Sequence, residues 1–184
     1  MRTSVLGLWD FDDPQRIVEN TETVCKITHY DPRCVASCVA VSMLVNQLAK
    51  GRAPDDTLLQ EVRATATQYD GRLDAVFEAS VAHEDIDALD LDEEEGIGYT
   101  LKPLAAGLWA LVHAESLEEG LLRVIQEGGD ADSNASVAGA LLGARYGIGA
   151  IPAHLVQGLN RKRYLSRVGS ELLNAIRPRP VVAG

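Results

Sequence analysis

The run Gly128-Gly129-Asp130-Ala131-Asp132-Ser133-Asn134, continued from Ala135 through Tyr146 and closed by Gly147, carries most of what this chain says about itself. A glycine pair stops the helix before it, because glycine accepts the left-handed backbone that a helix end needs. The small and apolar residues after Asn134 predict another helix over 135–146, with Gly147 as its stop. Between the two lie Asp130, Asp132 and Ser133, two carboxylates and a hydroxyl within four consecutive residues. At a helix start a turn can aim all three oxygens at one point, and hard oxygen donors of this kind suit magnesium, manganese or calcium. On geometry alone, Asp132 or Ser133 reads equally well as a helix N-cap. A calcium EF-hand loop fits only in its first positions: Ala135 stands where the loop requires glycine, and Leu141 where it requires a bidentate glutamate.

Outward from this junction the pattern stays helical. Apolar residues recur at three- and four-residue spacings, and long alternating runs are missing. Asp12 and Asp13 before Pro14 predict a helix start leading through Ile17, Val18, Thr21 and Val24. Asp31 and Pro32 predict a second start, with a helix from Arg33 to about Lys50 that stops at Gly51; its cysteines, alanines and serines allow close helix approach. Asp55, Asp56 and Thr57 can cap a third, carrying Leu58, Leu59, Val62 and Ala66. Pro103 suits the first turn of a helix over Leu104 to His113, and Ser116 with Glu119 has capping-box spacing for the helix through Ile125. The acidic run from Asp85 to Glu95 invites a cation-site reading, but nothing in its spacing builds an oxygen cage, and a solvated loop or helix face reads better. The expectation is one all-α domain over residues 1–176, with a frayed basic tail over 177–184.

Composition narrows the classes of function. With 46% hydrophobic residues over 184 positions the chain can bury a real core, and a formal net charge of −10 argues against nucleic acid or an anionic membrane as partner. That charge still permits a small anionic ligand in a pocket of backbone amides. The stretch from Ala135 to Leu142, read as the most apolar, is far shorter than the ~20 residues of a membrane span, so no membrane is expected. Three cysteines, Cys25, Cys34 and Cys38, without a disulfide-scaffold pattern or signal peptide, point to a reducing, cytoplasmic setting. Cys34 and Cys38 with nearby His29 invite zinc, yet a structural zinc site takes four ligands and a tighter knuckle, so small buried helix positions are the better reading.

The glycine-flanked junction, with Ala138 to Gly147 and Ile151-Pro152 after it, resembles the metal-site signature of the ADP-ribosylglycohydrolases. Two upstream segments resemble that family in the same order: Ile27-Thr28-His29-Tyr30-Asp31-Pro32, and Gly98-Tyr99-Thr100-Leu101 with Ala105 to Ala110. The resemblance implies a compact orthogonal helical domain whose dinuclear magnesium or manganese site holds ADP-ribose and positions a water. It would make Asp130 and Asp132 carboxylate ligands, Ser133 a hydroxyl ligand in place of the more usual threonine, and His29 a wall of the ADP-ribose cleft. The implied reaction is hydrolysis of the glycosidic bond at ribose C1 of ADP-ribose joined to a protein or other acceptor.

The resemblance covers the C-terminal half of the family's domain. The diphosphate loop, the remaining metal ligands and the general acid–base carboxylate belong to the first half, so no catalytic residue is assigned here. The expectations are therefore an enzyme fragment, half of a split enzyme completed by a separate chain, or a non-catalytic module that binds ADP-ribose or a protein. The first two predict an apolar surface for the missing half to cover; the third predicts a polar one.

Overall fold

The computed structural model describes residues 1–176, and the tail expected over 177–184 lies outside them. Among the described residues every regular element is a helix and there is no strand. Helix α1 spans Pro14–Lys26, and the Asp13 carboxylate caps it by accepting from the Gln15 and Arg16 backbone N–H groups. Helix α2 spans Pro32–Ala49 under an Asp31 cap, and α3 spans Asp56–Ala66 under an Asp55 cap. Each cap is a short polar side chain that satisfies N–H groups the helix itself leaves unpaired.

Helix α4, Leu73–Ala82, has no side-chain cap, and no start signal marks it in the sequence. It is tied to α3 through Arg63, which pairs with Asp74 at 2.6 Å and Glu78 at 2.7 Å. Helix α5, Leu101–His113, begins three residues before the expected start and carries Pro103 inside its first turn. Helix α6, Leu117–Gln126, is capped by the Ser116 hydroxyl. Helix α7 spans Ala131–Tyr146 rather than 135–146, a difference with consequences for the site. Two further helices, α8 (Ala153–Gly158) and α9 (Lys162–Ile176), complete the described chain.

The core is built on α5, α7 and α2. Gly107 lets α5 press onto α7, since a Cβ there would stand 3.0 Å from both Leu141 Cδ1 and Val137 Cγ1. Leu104, Leu108, Leu111 and Leu141 are buried in this seam beside Leu44 of α2 and Leu58 of α3. A second cluster gathers Trp109, Val124 and Leu142 with Ile86 and Leu91. Helix α2 has the length and apolar composition of a membrane span, and 61% of that stretch is buried inside the fold. It packs against α1, α3 and α7.

Two polar residues in this apolar helix fix the start of the chain. Ser42 Oγ donates to the Thr3 carbonyl at 3.0 Å, and Asn46 Nδ2 donates to the Gly7 and Phe11 carbonyls at 2.9 and 3.0 Å. The 3₁₀ turn Ser4–Leu8 is thereby laid along α2. The acidic segment forms two short 3₁₀ turns, Ile86–Leu89 and Glu94–Gly96, which bury Ile86 and Leu91 and leave the carboxylates from Asp85 to Glu95 exposed, as the solvated reading expects.

Candidate active site

Helix α7 starts four residues earlier than expected, and this decides which oxygens can converge. Asp130 is its N-cap residue, so Asp132 and Ser133 lie in its first turn rather than in a loop. Successive helical residues are turned by about 100°, so residues three apart share a face and residues two apart do not. Asp130 and Ser133 accordingly line one cavity together, and Asp132 is not among its lining residues. Asp132 is exposed, and its Oδ1 accepts from the Ser133 backbone N–H at 2.9 Å. The Asp130 carboxylate makes no cap bond and is half-buried.

The cavity, about 470 Å³, is assembled from four parts of the chain. The α7 start supplies Asp130 and Ser133. The α1–α2 connection supplies His29 and Asp31, and the first turns of α2 add Arg33, Cys34 and Cys38. The laid-down N-terminus adds Arg2 and Thr3, and the segment entering α5 adds Tyr99 and Thr100. His29 therefore sits in the same cavity as Asp130 and Ser133, although a hundred residues separate them in sequence.

A relay orders the histidine. Arg2 donates to the Val24 carbonyl at 2.9 Å and to Thr28 Oγ1 at 2.6 Å, and Thr28 Oγ1 lies 2.7 Å from His29 Nδ1. The hydroxyl already accepts from Arg2 and is free to give its own proton to Nδ1, which leaves Nε2 as the N–H donor. The sequence carries no local signal of this contact, since 26 residues separate the cation from its partner.

Arg33 stands in the first turn of α2. It forms a two-point pair with Asp31, Nε to Oδ1 at 2.8 Å and Nη2 to Oδ2 at 2.6 Å, and its guanidinium lies 5.4 Å from the centre of the Tyr99 ring. The Arg33 guanidinium, and after it the Arg33 backbone N–H, hold the Asp31 carboxyl well below the usual carboxylate range. A depressed folded-state value means stability that is present above the ordinary carboxylate value near pH 4 and lost as pH falls further. Asp31→Asn should therefore show a shallower loss of urea midpoint between pH 5 and pH 2.5 than the parent chain; parallel curves would count against the pairing.

Among the described residues no group of three or more His, Cys, Asp or Glu side chains is placed to hold a metal ion. The oxygens of Asp130 and Ser133 fit a hard divalent cation chemically, and magnesium tolerates such a sparse set because it keeps several waters and takes one or two carboxylates. The cavity joins these oxygens to two guanidiniums in a chain of net charge −10, an arrangement for a ligand that carries both hydroxyls and anionic groups.

With this geometry described, comparison with known proteins adds the relationship. The family model for ADP-ribosylglycohydrolase matches residues 1–181. The chain is 25% identical to the ADP-ribosylarginine hydrolase Tri1 of Serratia proteamaculans over 158 residues, 86% of this chain and 41% of that protein. It is 24% identical to the protein of the same name from Pseudomonas putida, over 83% of this chain and 38% of the relative. An uncharacterized protein of Archaeoglobus fulgidus is 26% identical over 94% of this chain and 56% of its own length. The chain thus spans roughly two fifths to a little over half of these relatives, and it belongs to the ADP-ribosylglycohydrolase family.

Proposed function

We propose that the chain forms the metal-facing half of an ADP-ribose cleft and serves in hydrolysis of the glycosidic bond between ADP-ribose and an acceptor. The observation that carries this reading is the meeting of Asp130, Ser133 and His29 in one cavity with Arg2 and Arg33. The guanidinium of Arg2 suits a diphosphate, and Arg33, already paired with Asp31, would stiffen the wall with Tyr99. His29 Nε2–H would donate to a ribose hydroxyl or phosphate oxygen. Asp130 and Ser133 would hold magnesium or manganese, with Asp132 able to join only by giving up its bond to the Ser133 N–H. A divalent cation bound there would polarise sugar hydroxyls and lower the pKa of a bound water.

The second metal of a dinuclear site and the general acid–base carboxylate need donors that the described cavity does not gather. In this proposal they come from further polypeptide facing the cleft, in the same chain or a partner. Exposed apolar side chains favour that over a non-catalytic module: Met1, Ile27 and Tyr30, neighbours in sequence of the cavity residues Arg2 and His29, are 61%, 72% and 76% exposed. The setting is proposed to be cytoplasmic, and the names of the relatives make an ADP-ribosylated arginine side chain the first acceptor to try.

The test is release of ADP-ribose from an ADP-ribosylarginine peptide in magnesium or manganese, beside ADP-ribose binding by calorimetry. Release that EDTA abolishes is the expected result for the completed cleft. Binding without release would favour the non-catalytic module, and neither binding nor release would overturn both readings.

A further inference from the structure

Lys102 stands in the first turn of α5, just past Thr100 of the cavity wall, yet its side chain runs back against the acidic segment. Its ammonium donates to the Asp90 carbonyl at 2.7 Å and to the Glu93 carbonyl at 3.2 Å, and Glu93 Oε2 lies 3.3 Å away. Three oxygens thus face the three protons of an ammonium on a side chain only 12% exposed. Burying an ammonium is costly unless such oxygens replace its water, so the segment is shaped around this charge. Asp90, whose carbonyl takes the shortest of these contacts, has φ +46°, a left-handed conformation that a non-glycine residue holds only where its surroundings impose it. Gly96 packs directly on the ammonium: a Cβ there would stand 2.7 Å from both Lys102 Cε and Nζ.

The clasped segment touches two walls of the cavity. On one side the Leu91 carbonyl and Asp92 Cα press against Gly129, the residue before Asp130. On the other, the Tyr99 N–H donates to the Gly96 carbonyl at 3.0 Å and the Lys102 N–H to the Tyr99 carbonyl at 2.9 Å, so the wall residues Gly98, Tyr99 and Thr100 follow the segment without slack. We propose that Lys102 is a positioning residue of the cleft: its ammonium holds residues 90–96 in the shape that sets the start of α7 and the entry to α5 relative to one another.

Burial of Ile86 and Leu91 holds the near end of the segment on the core, but no residue from Asp92 to Gly98 is buried. Over that stretch the ammonium does what apolar burial does elsewhere. Lys102 itself does not line the cavity, so it acts on the cleft only through the segment. Without its charge the Asp90 and Glu93 carbonyls lose their shared donor, and the two walls loosen together. The consequence for ligand rests on the proposed ADP-ribose cleft; the coupling of the two walls does not.

The experiment compares amide hydrogen exchange by NMR in the parent chain, Lys102→Met and Gly96→Ala, and titrates ADP-ribose into each at saturating manganese. Methionine keeps much of the stem and removes the charge; alanine at 96 keeps the charge and pushes the ammonium aside, at a residue whose φ is not left-handed. Both variants are expected to speed exchange about tenfold at the Tyr99 and Lys102 N–H groups on one wall and the Gly128 and Asn134 N–H groups on the other. The buried amides of α2 should exchange as before, and ADP-ribose affinity should fall about tenfold. Lys102→Ala, which opens room for a small cation, is expected to regain protection at both walls in methylammonium chloride and not in sodium chloride. Faster exchange at the Glu93 and Gly96 N–H groups alone, an equal rise over every helix, or no gain from methylammonium would each overturn the proposal. If the parent chain does not bind ADP-ribose, the cleft reading falls, and the exchange map still decides whether Lys102 couples the walls.

Discussion

Replacing Asp130 by Ala is expected to weaken magnesium- or manganese-dependent binding of ADP-ribose by about 100-fold, the upper end of what losing even an outer partner of a metal ligand costs. The carboxylate is free of any helix-capping bond and lines the cavity, so nothing else competes for its oxygens. The same substitution at Asp132 is expected to cost about tenfold or less. Its side chain is exposed, bonded to the Ser133 N–H, and turned away from the cavity by the helical step. Ser133→Ala should fall with Asp130, because the two share a face. Calorimetric titration of ADP-ribose into each variant at saturating manganese ranks them. An Asp132 variant as weak as the Asp130 variant would show that the α7 start rearranges around the cation, and equal binding by all would remove the metal from this corner.

The second large effect is on stability. Gly129 has φ +59°, and a Cβ there would drive into the Leu91 carbonyl oxygen and stand 2.9 Å from Asp92 Cα, both backbone atoms of the acidic segment. Gly129→Ala therefore combines left-handed strain with a collision that no rotamer can relieve, and is expected to cost about 3 kcal/mol or more. Gly128 also has positive φ, +74°, yet a Cβ there would meet nothing nearer than Asp92 Cβ at 4.0 Å. Gly128→Ala should cost about 1–2 kcal/mol, the strain alone. Urea unfolding of the two variants separates close approach from backbone preference; equal midpoints would contradict the contact. The same close approach seats the acidic segment against the residue before Asp130, while the burial of Ile86 and Leu91 holds that segment on the fold.

What could be read from the sequence was the local chemistry. Asp13, Asp31, Asp55 and Ser116 each announce a helix because capping uses residues within three positions of one another. Helix α4 begins at Leu73 without a capping side chain, so its start leaves no mark in the sequence. The start of α7 was misplaced because Asp130 caps without a side-chain bond, and polar residues 132–134 resemble a loop although they are the first turn of a helix. The earlier helix start is what places Asp130 and Asp132 unequally. The candidate residues Asp130, Ser133 and His29, which line one cavity, stand in motif segments of the sequence, while nothing local marks the contact of Arg2 with Thr28, which forms only where Ser42 and Asn46 have anchored the chain start on α2.

The proposed divalent cation sits at the start of α7 and not on the acidic segment, and amide NMR with substoichiometric manganese tests this most directly. Paramagnetic broadening centred on residues 129–133, with weaker effects at 28–31 and 98–100, is the predicted result. Broadening centred on residues 85–95, with the α7 start untouched, would contradict it.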